Sequence, residues 1–243
     1  METGPRRASW KHGEVPETDA PEFLTTARLR LAPLAAADVA ELYAIYADPG
    51  TWLHLPSGRH TSLAQAERMV DESEQSWAAS GLGRWAIRLR HDLPGTALPG
   101  TARSNPTLSG AARPGTALAA GTLIGVASAT LMDCGARNFG YRLTPASWGI
   151  GLATEAATVA LAAAQDSAYP VTARALAGNP ASVRVLERIG LTRVWSGQGV
   201  AGGALVDAVP TAPGQPDTTA LARLIFADRP LTPELLAAII NLG

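Results

Sequence analysis

"TPASWGIGLATEAATVAL", residues Thr144 to Leu161, is the stretch whose reading decides the fold. It breaks at Gly149 and Gly151 and then runs on as an alanine-rich helix. A strand-like segment, "RNFGYRLT" (137–144), feeds into it. Two readings stand side by side. The glycines supply positive φ in a tight strand-to-helix connection. Alternatively, the helix start offers free N–H groups and a positive dipole end to a phosphate, with Gly149, Gly151 and Ala153 leaving room for it. Two nucleotide motifs fail here. A dinucleotide turn needs a third glycine where Ala153 stands, and an acid at the end of the next strand, which "PVTARAL" (170–176) lacks. A Walker loop needs a lysine, and this turn has none.

Working outward, "TTARLRLAPL" (25–34) alternates as a strand, with Leu29 and Leu31 on one side and Arg28 and Arg30 on the other. "AAADVAELYAIYADP" changes to helical spacing. "TSLAQAERMVDESEQSWAASG" predicts a second helix, capped by Thr61 or Ser62, with Leu63, Ala66, Met69 or Val70, and Trp77 turned inward. Strands follow at 83–90, 121–132 and 137–144, then a helix at 151–167 and a strand at 170–176. "PASVRVLERIG" (180–190) is a helix with Pro180 in its first turn and Gly190 at its end. Strands at 191–196 and 220–231 and a helix at 232–242, with Thr232 as N-cap, complete the order. Three hairpin-linked strands followed by a strand–helix–strand crossover imply a mixed sheet in a three-layer α/β fold.

Two stretches interrupt this order. Residues 91–120 repeat Pro-Gly-Thr at 94, 99 and 114, and 197–217 are also rich in Gly and Pro. Both are expected to be insertions within hairpins of a single domain spanning 23–243. Residues 1–22 are polar and aperiodic and are expected to form a flexible arm.

Composition narrows the function. The 243 residues are 47% hydrophobic with a net charge of −1, which supports a sizeable core and argues against a bulk-charge nucleic-acid surface. Cys134 is the only cysteine, so a disulfide within the chain or a cysteine metal cluster is excluded. No apolar run reaches membrane-spanning length, and the first residues lack the apolar stretch of a signal peptide. The expectation is a cytoplasmic protein without a metal, nucleic-acid or membrane partner.

The residues around the opening stretch match a family. "FGYRLTPASWGIGLATEA" resembles the acetyl-CoA signature of the GNAT N-acetyltransferases, Gln/Arg-x-x-Gly-x-Gly/Ala. Trp148 stands at its first position, Gly151 at its fourth and Ala153 at its sixth. The Trp, together with "LTTARLRLAPLAAADVAELYAIYADP" and "NPASVRVLERIGLTRV", resembles the branch that acetylates ribosomal-protein N-termini. The resemblance implies a GNAT-like three-layer fold whose mostly antiparallel mixed sheet splays between its fourth and fifth strands. It implies acetyl-CoA as co-substrate and direct attack by a primary amine, on a protein N-terminus or a small molecule. Backbone groups of Tyr141, Arg142 and Leu143 would pair with the pantetheine. Trp148, Gly149, Ile150, Gly151, Leu152, Ala153 and Thr154 would hold the pyrophosphate. The family often dimerises.

The same resemblance assigns Asn179 and Ser182, of the pattern Asn-x-x-Ser, to the catalytic centre. Ser182 would hydrogen-bond and protonate the departing sulfur, and Asn179 would fix the pantetheine arm or nearby backbone. Read without the family, Asn179 is a helix cap and Ser182 a first-turn residue. Many relatives carry a glutamate on the strand after this helix; this chain has none, and Val194 stands there. Deprotonation then goes through water, through Glu155 or through a residue of the first loop such as His54 or His60, with ordinary alternatives as a first-turn acid and two loop histidines. The missing acid leaves a second function open, an acyl-CoA-binding sensor or interaction module with weak or no catalysis.

Overall fold

The strand expected at 25–34 is two strands. Leu24–Thr25 (β1) turns back on Leu29–Pro33 (β2), antiparallel, through a bend at 26–28. Thr26 closes the bend locally, accepting from Leu29 N at 2.9 Å and donating its own N–H to the Leu29 carbonyl at 2.9 Å, and a distant carboxylate described below braces it. In this computed structural model, residues 23–52, 55–93, 117–165, 168–197 and 222–242 are described.

After β2 come α1 (Val39–Ala47) and α2 (Leu63–Ser80). Gln65 Oε1 accepts from the N–H groups of Thr61 and Ser62 at the start of α2, and Gly81 ends it in the left-handed region at φ 68°. Its buried stripe is Ala66, Val70 and Ser73. Leu63, expected inward, is exposed, because it precedes the first turn that reaches the sheet. Then follow β3 (Arg84–Leu89), β4 (Leu123–Leu131) and β5 (Arg137–Leu143). Next come α3 (Leu152–Gln165), β6 (Val171–Leu176), α4 (Pro180–Arg188), β7 (Thr192–Gly197), β8 (Arg223–Ala227) and α5 (Pro233–Asn241).

These strands form one sheet of order β1-β2-β3-β4-β5-β6-β8-β7. Only the central β5–β6 pair is parallel, as a helical crossover through α3 requires. Strand alternation sorts two faces. Leu29, Ile87, Phe139, Ala173 and Phe226 pack against α3 and α4. On the other face, Val126 packs with Leu42 of α1 and Val70 of α2, and Ile225 packs with Ile239 of α5. The mixed three-layer fold expected from the sequence is therefore the one observed.

The expected arm lies outside the described residues, as do 94–116 and 198–221, most of both expected insertions. The strands flanking each insertion are antiparallel neighbours, and Leu93 bridges Leu118 at the base of the first.

Candidate active site

β5 and β6 pair at only three positions, the last being Phe139 with Ala173. Beyond it, Gly140–Leu143 remains paired with β4 but, among the described residues, has no strand on its other edge. Backbone N–H and C=O groups on such an edge need partners, which an extended ligand can provide. Gly125 of β4 supports this segment. A Cβ there would stand 2.3 Å from the Arg142 carbonyl oxygen, so only glycine permits the approach.

The segment leads through Pro145–Ser147 into the glycine turn. Gly149 and Gly151 adopt φ 78° and 84°, the left-handed region that favours glycine. The Trp148 indole donates to the Leu143 carbonyl at 2.9 Å and folds the turn back on its own strand. One carbonyl expected to face pantetheine thus already has a partner. The first N–H groups of α3, at Leu152, Ala153 and Thr154, have no partner four residues earlier and point out of the helix start. Absent side chains at 149 and 151 and these free donors fit a pyrophosphate.

Arg28, just before β2, braces this turn. Its Nη1 donates to the Ile150 carbonyl at 2.9 Å, and its Nε and Nη2 lie 2.7 and 2.6 Å from Glu155 Oε2. Glu155 Oε1 accepts from the Thr26 hydroxyl at 2.6 Å and the Arg28 N–H at 2.9 Å. Partial burial pushes the Glu155 carboxyl up, but hydrogen bonds from Thr26 and Arg28 and the Arg28 charge outweigh it and hold it below 4.5. A carboxylate engaged in this way is a poor proton acceptor. In this geometry Glu155 ties the glycine turn to the bend between β1 and β2. No local pattern links Thr26 and Arg28 to Glu155, so sequence reasoning misses their part in the site.

On the α4 side of the opening, Tyr141 Oη lies 3.1 Å from Ser182 Oγ and donates to the Ser182 carbonyl at 3.0 Å. Burial raises the Tyr141 phenol to about 12, against a smaller lowering by the Ser182 hydrogen bond, so it is a neutral donor at ordinary pH. Asn179 Oδ1 accepts from Ser182 N at 3.2 Å, the capping geometry of the plain reading. That cap fixes the first turn of α4 and with it the Ser182 hydroxyl. Period-two alternation from Phe139 puts Tyr141 on this face, but its pairing with Ser182 is not readable along the chain.

The other face of β5 carries Arg142, which lies 3.4 Å from the Trp52 ring centroid and donates to the Thr51 carbonyl. His60 packs on Tyr46 at 4.7 Å, and its Nδ1 is buried without a partner. Burial, then the charges of Arg68 and Arg142, lowers its pKa and keeps the ring neutral. His54 lies outside the described residues. Val194 sits at a break in the β7–β8 register and packs near α5. Among the described residues, no cluster of acids, His and Cys has metal-ligand spacing, and no helix is long and apolar enough to cross a membrane.

An open parallel pair, a glycine turn at a helix start and a hydroxyl pair beside the gap define an acyl-CoA-binding α/β fold. The model of the acetyltransferase (GNAT) domain matches residues 28–192, and the chain belongs to that family of acetyl-CoA-dependent acetyltransferases. Solved structures agree in fold. An acetyltransferase from Agrobacterium tumefaciens str. C58 is 20% identical, with 92% of this chain and 98% of that one covered at a TM-score of 0.53. RimL, a ribosomal L7/L12 α-N-protein acetyltransferase in complex with coenzyme A, is 14% identical, with 85% and 97% covered at a TM-score of 0.56. The microcin C7 self-immunity acetyltransferase MccE, in complex with acetyl-CoA and AMP, is 12% identical, with 85% and 96% covered at a TM-score of 0.54. No curated protein is a significant match in sequence.

Proposed function

We propose that this chain moves the acetyl group of acetyl-CoA to a primary amine by direct attack, without an acetylated enzyme intermediate. The observation that carries this reading is the Tyr141–Ser182 hydroxyl pair beside the unpaired edge of β5. Glycine turn 149–151 and the start of α3 bind the pyrophosphate through backbone N–H groups. The free edge of β5 orients the pantetheine in the gap.

The amine nitrogen bonds to the thioester carbonyl carbon, the carbon–sulfur bond breaks, and the sulfur leaves as thiolate. Ser182 presents its hydroxyl to that sulfur and stabilises its developing charge, while Tyr141, which donates to the Ser182 carbonyl, holds Ser182 in place. With a phenol near 12, Tyr141 acts by hydrogen bonding. The proton the thiol finally carries balances the one lost by the attacking ammonium. With Glu155 engaged and Val194 on β7, that loss passes to solvent, or to neutral His60 through water.

Acceptors are primary amines, on protein N-termini or small molecules, and the RimL likeness supports testing N-terminal peptides first. CoA release from acetyl-CoA with a panel of peptides and small amines tests the reading. Turnover with at least one amine supports it. Acetyl-CoA binding with no turnover on any amine overturns it in favour of a binding module, a reading that the lack of a free acid on β7 favours.

A further inference from the structure

Beyond its last rung with β6, β5 turns Arg142 away from Tyr141 and Ser182, toward α1 and α2. The glycine turn and the hydroxyl pair assigned above to the cofactor lie toward α3 and α4, which leaves this opposite face to the amine. The contacts of Arg142 are all uncharged: the Trp52 ring, the Tyr46 ring at 5.8 Å and the Thr51 carbonyl. Among the described residues no carboxylate pairs with it.

A second arginine stands on the same face beyond β6, on β8. Leu176, three residues past Ala173 on β6, pairs with Arg223 of β8, while Arg142 is three residues past Phe139, the partner of Ala173. Both arginines therefore stand at one level of the sheet and on one face of it, with β6 between them. Arg223 is 7% exposed, lies 5.7 Å from the Trp195 ring and donates to the Ile240 carbonyl, yet its Nε and Nη1 have no partner. Burial, then the charge of Arg174, lowers its pKa. Buried cations are retained with a compensating anion, and two nitrogens left bare are unfavourable.

Resting on the acetyl-transfer reading, we propose that the acceptor is an acidic amine, whose carboxylate Arg142 receives while the charge of Arg223, farther along the same face, adds to the positive field there. The planar guanidinium, held flat on Trp52, presents a fixed fork to a planar carboxylate. Two sources carry this chemistry, an acidic peptide N-terminus and a free dicarboxylic amino acid, and the acceptors below separate them.

The test compares CoA release with the C-terminally amidated peptides Ala-Asp-Glu and Ala-Asn-Gln, and with free glutamate against its dimethyl ester. The wild type prefers the acidic member of at least one pair by roughly tenfold in kcat/KM, mainly through KM. The pair with the larger ratio identifies the source. Arg142→Gln brings the ratio to about one, and Arg142→Lys, which keeps charge but loses the fork, leaves it intermediate. Arg223→Met lowers the ratio by about threefold without lowering Tm, since it removes a buried unpaired charge. Arg193→Gln, on exposed β7, keeps the ratio. Calorimetry with CoA-saturated protein repeats the comparison without chemistry. A wild-type ratio near one in both assays, or one unmoved by Arg142→Gln, overturns the proposal. Acidic preference in binding with no turnover on any amine upholds the carboxylate site and overturns only the acetyl-transfer reading. If Arg142→Gln unfolds the protein, Arg142→Lys decides: an unchanged ratio there also overturns the proposal, and an intermediate one supports it.

Discussion

The two faces of β5 at the gap are built on opposite principles. Toward α3 and α4, the polar groups of the site are partnered: Arg28 and Glu155 satisfy each other, Thr26 closes the set, and Tyr141 and Ser182 share a hydrogen bond. Toward α1, α2 and α5, Arg142 and Arg223 have aromatic rings and carbonyls but no carboxylate among the described residues. The first face is pre-organised for a ligand of constant structure, so its polar groups are held rigid before binding. The second keeps positive charge uncompensated, so binding there depends on what the partner brings.

The largest effect is expected where the first face has no side chain to lose. Gly151→Val should weaken acetyl-CoA binding by about 100-fold or more by calorimetry, since a branched side chain is strained at φ 84° and blocks the helix start. Its Cβ would meet only Arg28 Nη2 at 3.5 Å, an ordinary contact, so far-ultraviolet circular dichroism should stay native. Unchanged affinity would break the comparison at its root.

Next comes the hydroxyl pair. Ser182→Ala should lower kcat roughly 10- to 100-fold, with KM for acetyl-CoA changed less than about threefold, because its hydroxyl acts on charge that develops at the sulfur. Tyr141→Phe should do the same. If the double variant multiplies the two losses, the hydroxyls act separately; a double loss no larger than one single loss shows that they act as a unit.

Glu155→Gln sharpens the contrast through stability. It should cost about 1 kcal/mol near neutral pH, a modest figure because Arg28 is 40% exposed. The folded carboxyl lies below 4.5, so Glu155 stabilises the fold above that pH and ceases to do so as pH falls through the folded value. Thermal melts of the two proteins should therefore converge in acid. A constant difference across the pH range would show that the network is not ionic. The smallest effect is Leu63→Gln, within about 0.5 kcal/mol by denaturant melts, since the side chain is exposed.

The difference between the faces also explains what is legible in the chain. The glycine turn, the strand before it and the Asn179 cap are local: periodicity and residue type within one turn of helix specify them. The order of strands and helices is readable for the same reason, and so is the mixed three-layer fold. Three things are not. The tether of the bend at 26–28 to α3 runs through Glu155, more than a hundred residues away. Leu63 reads as inward by spacing, but whether a first turn reaches the sheet depends on where the helix is docked. Glu155 fits a base by position, and only its four hydrogen-bonding contacts reveal a tether.

Residue patterns by themselves determined most of the elements and the positive-φ turn, because each rests on short-range geometry, and they carried the resemblance to an acetyl-CoA-dependent family. Tertiary structure alone decided which hydroxyl meets Ser182, which acid is occupied and which arginines of the second face lack an anion among the described residues. Those outcomes depend on pairing register: the rungs of β5 with β6 and of β6 with β8 bring Arg142 and Arg223 to one level of one face, and no spacing along the chain encodes that.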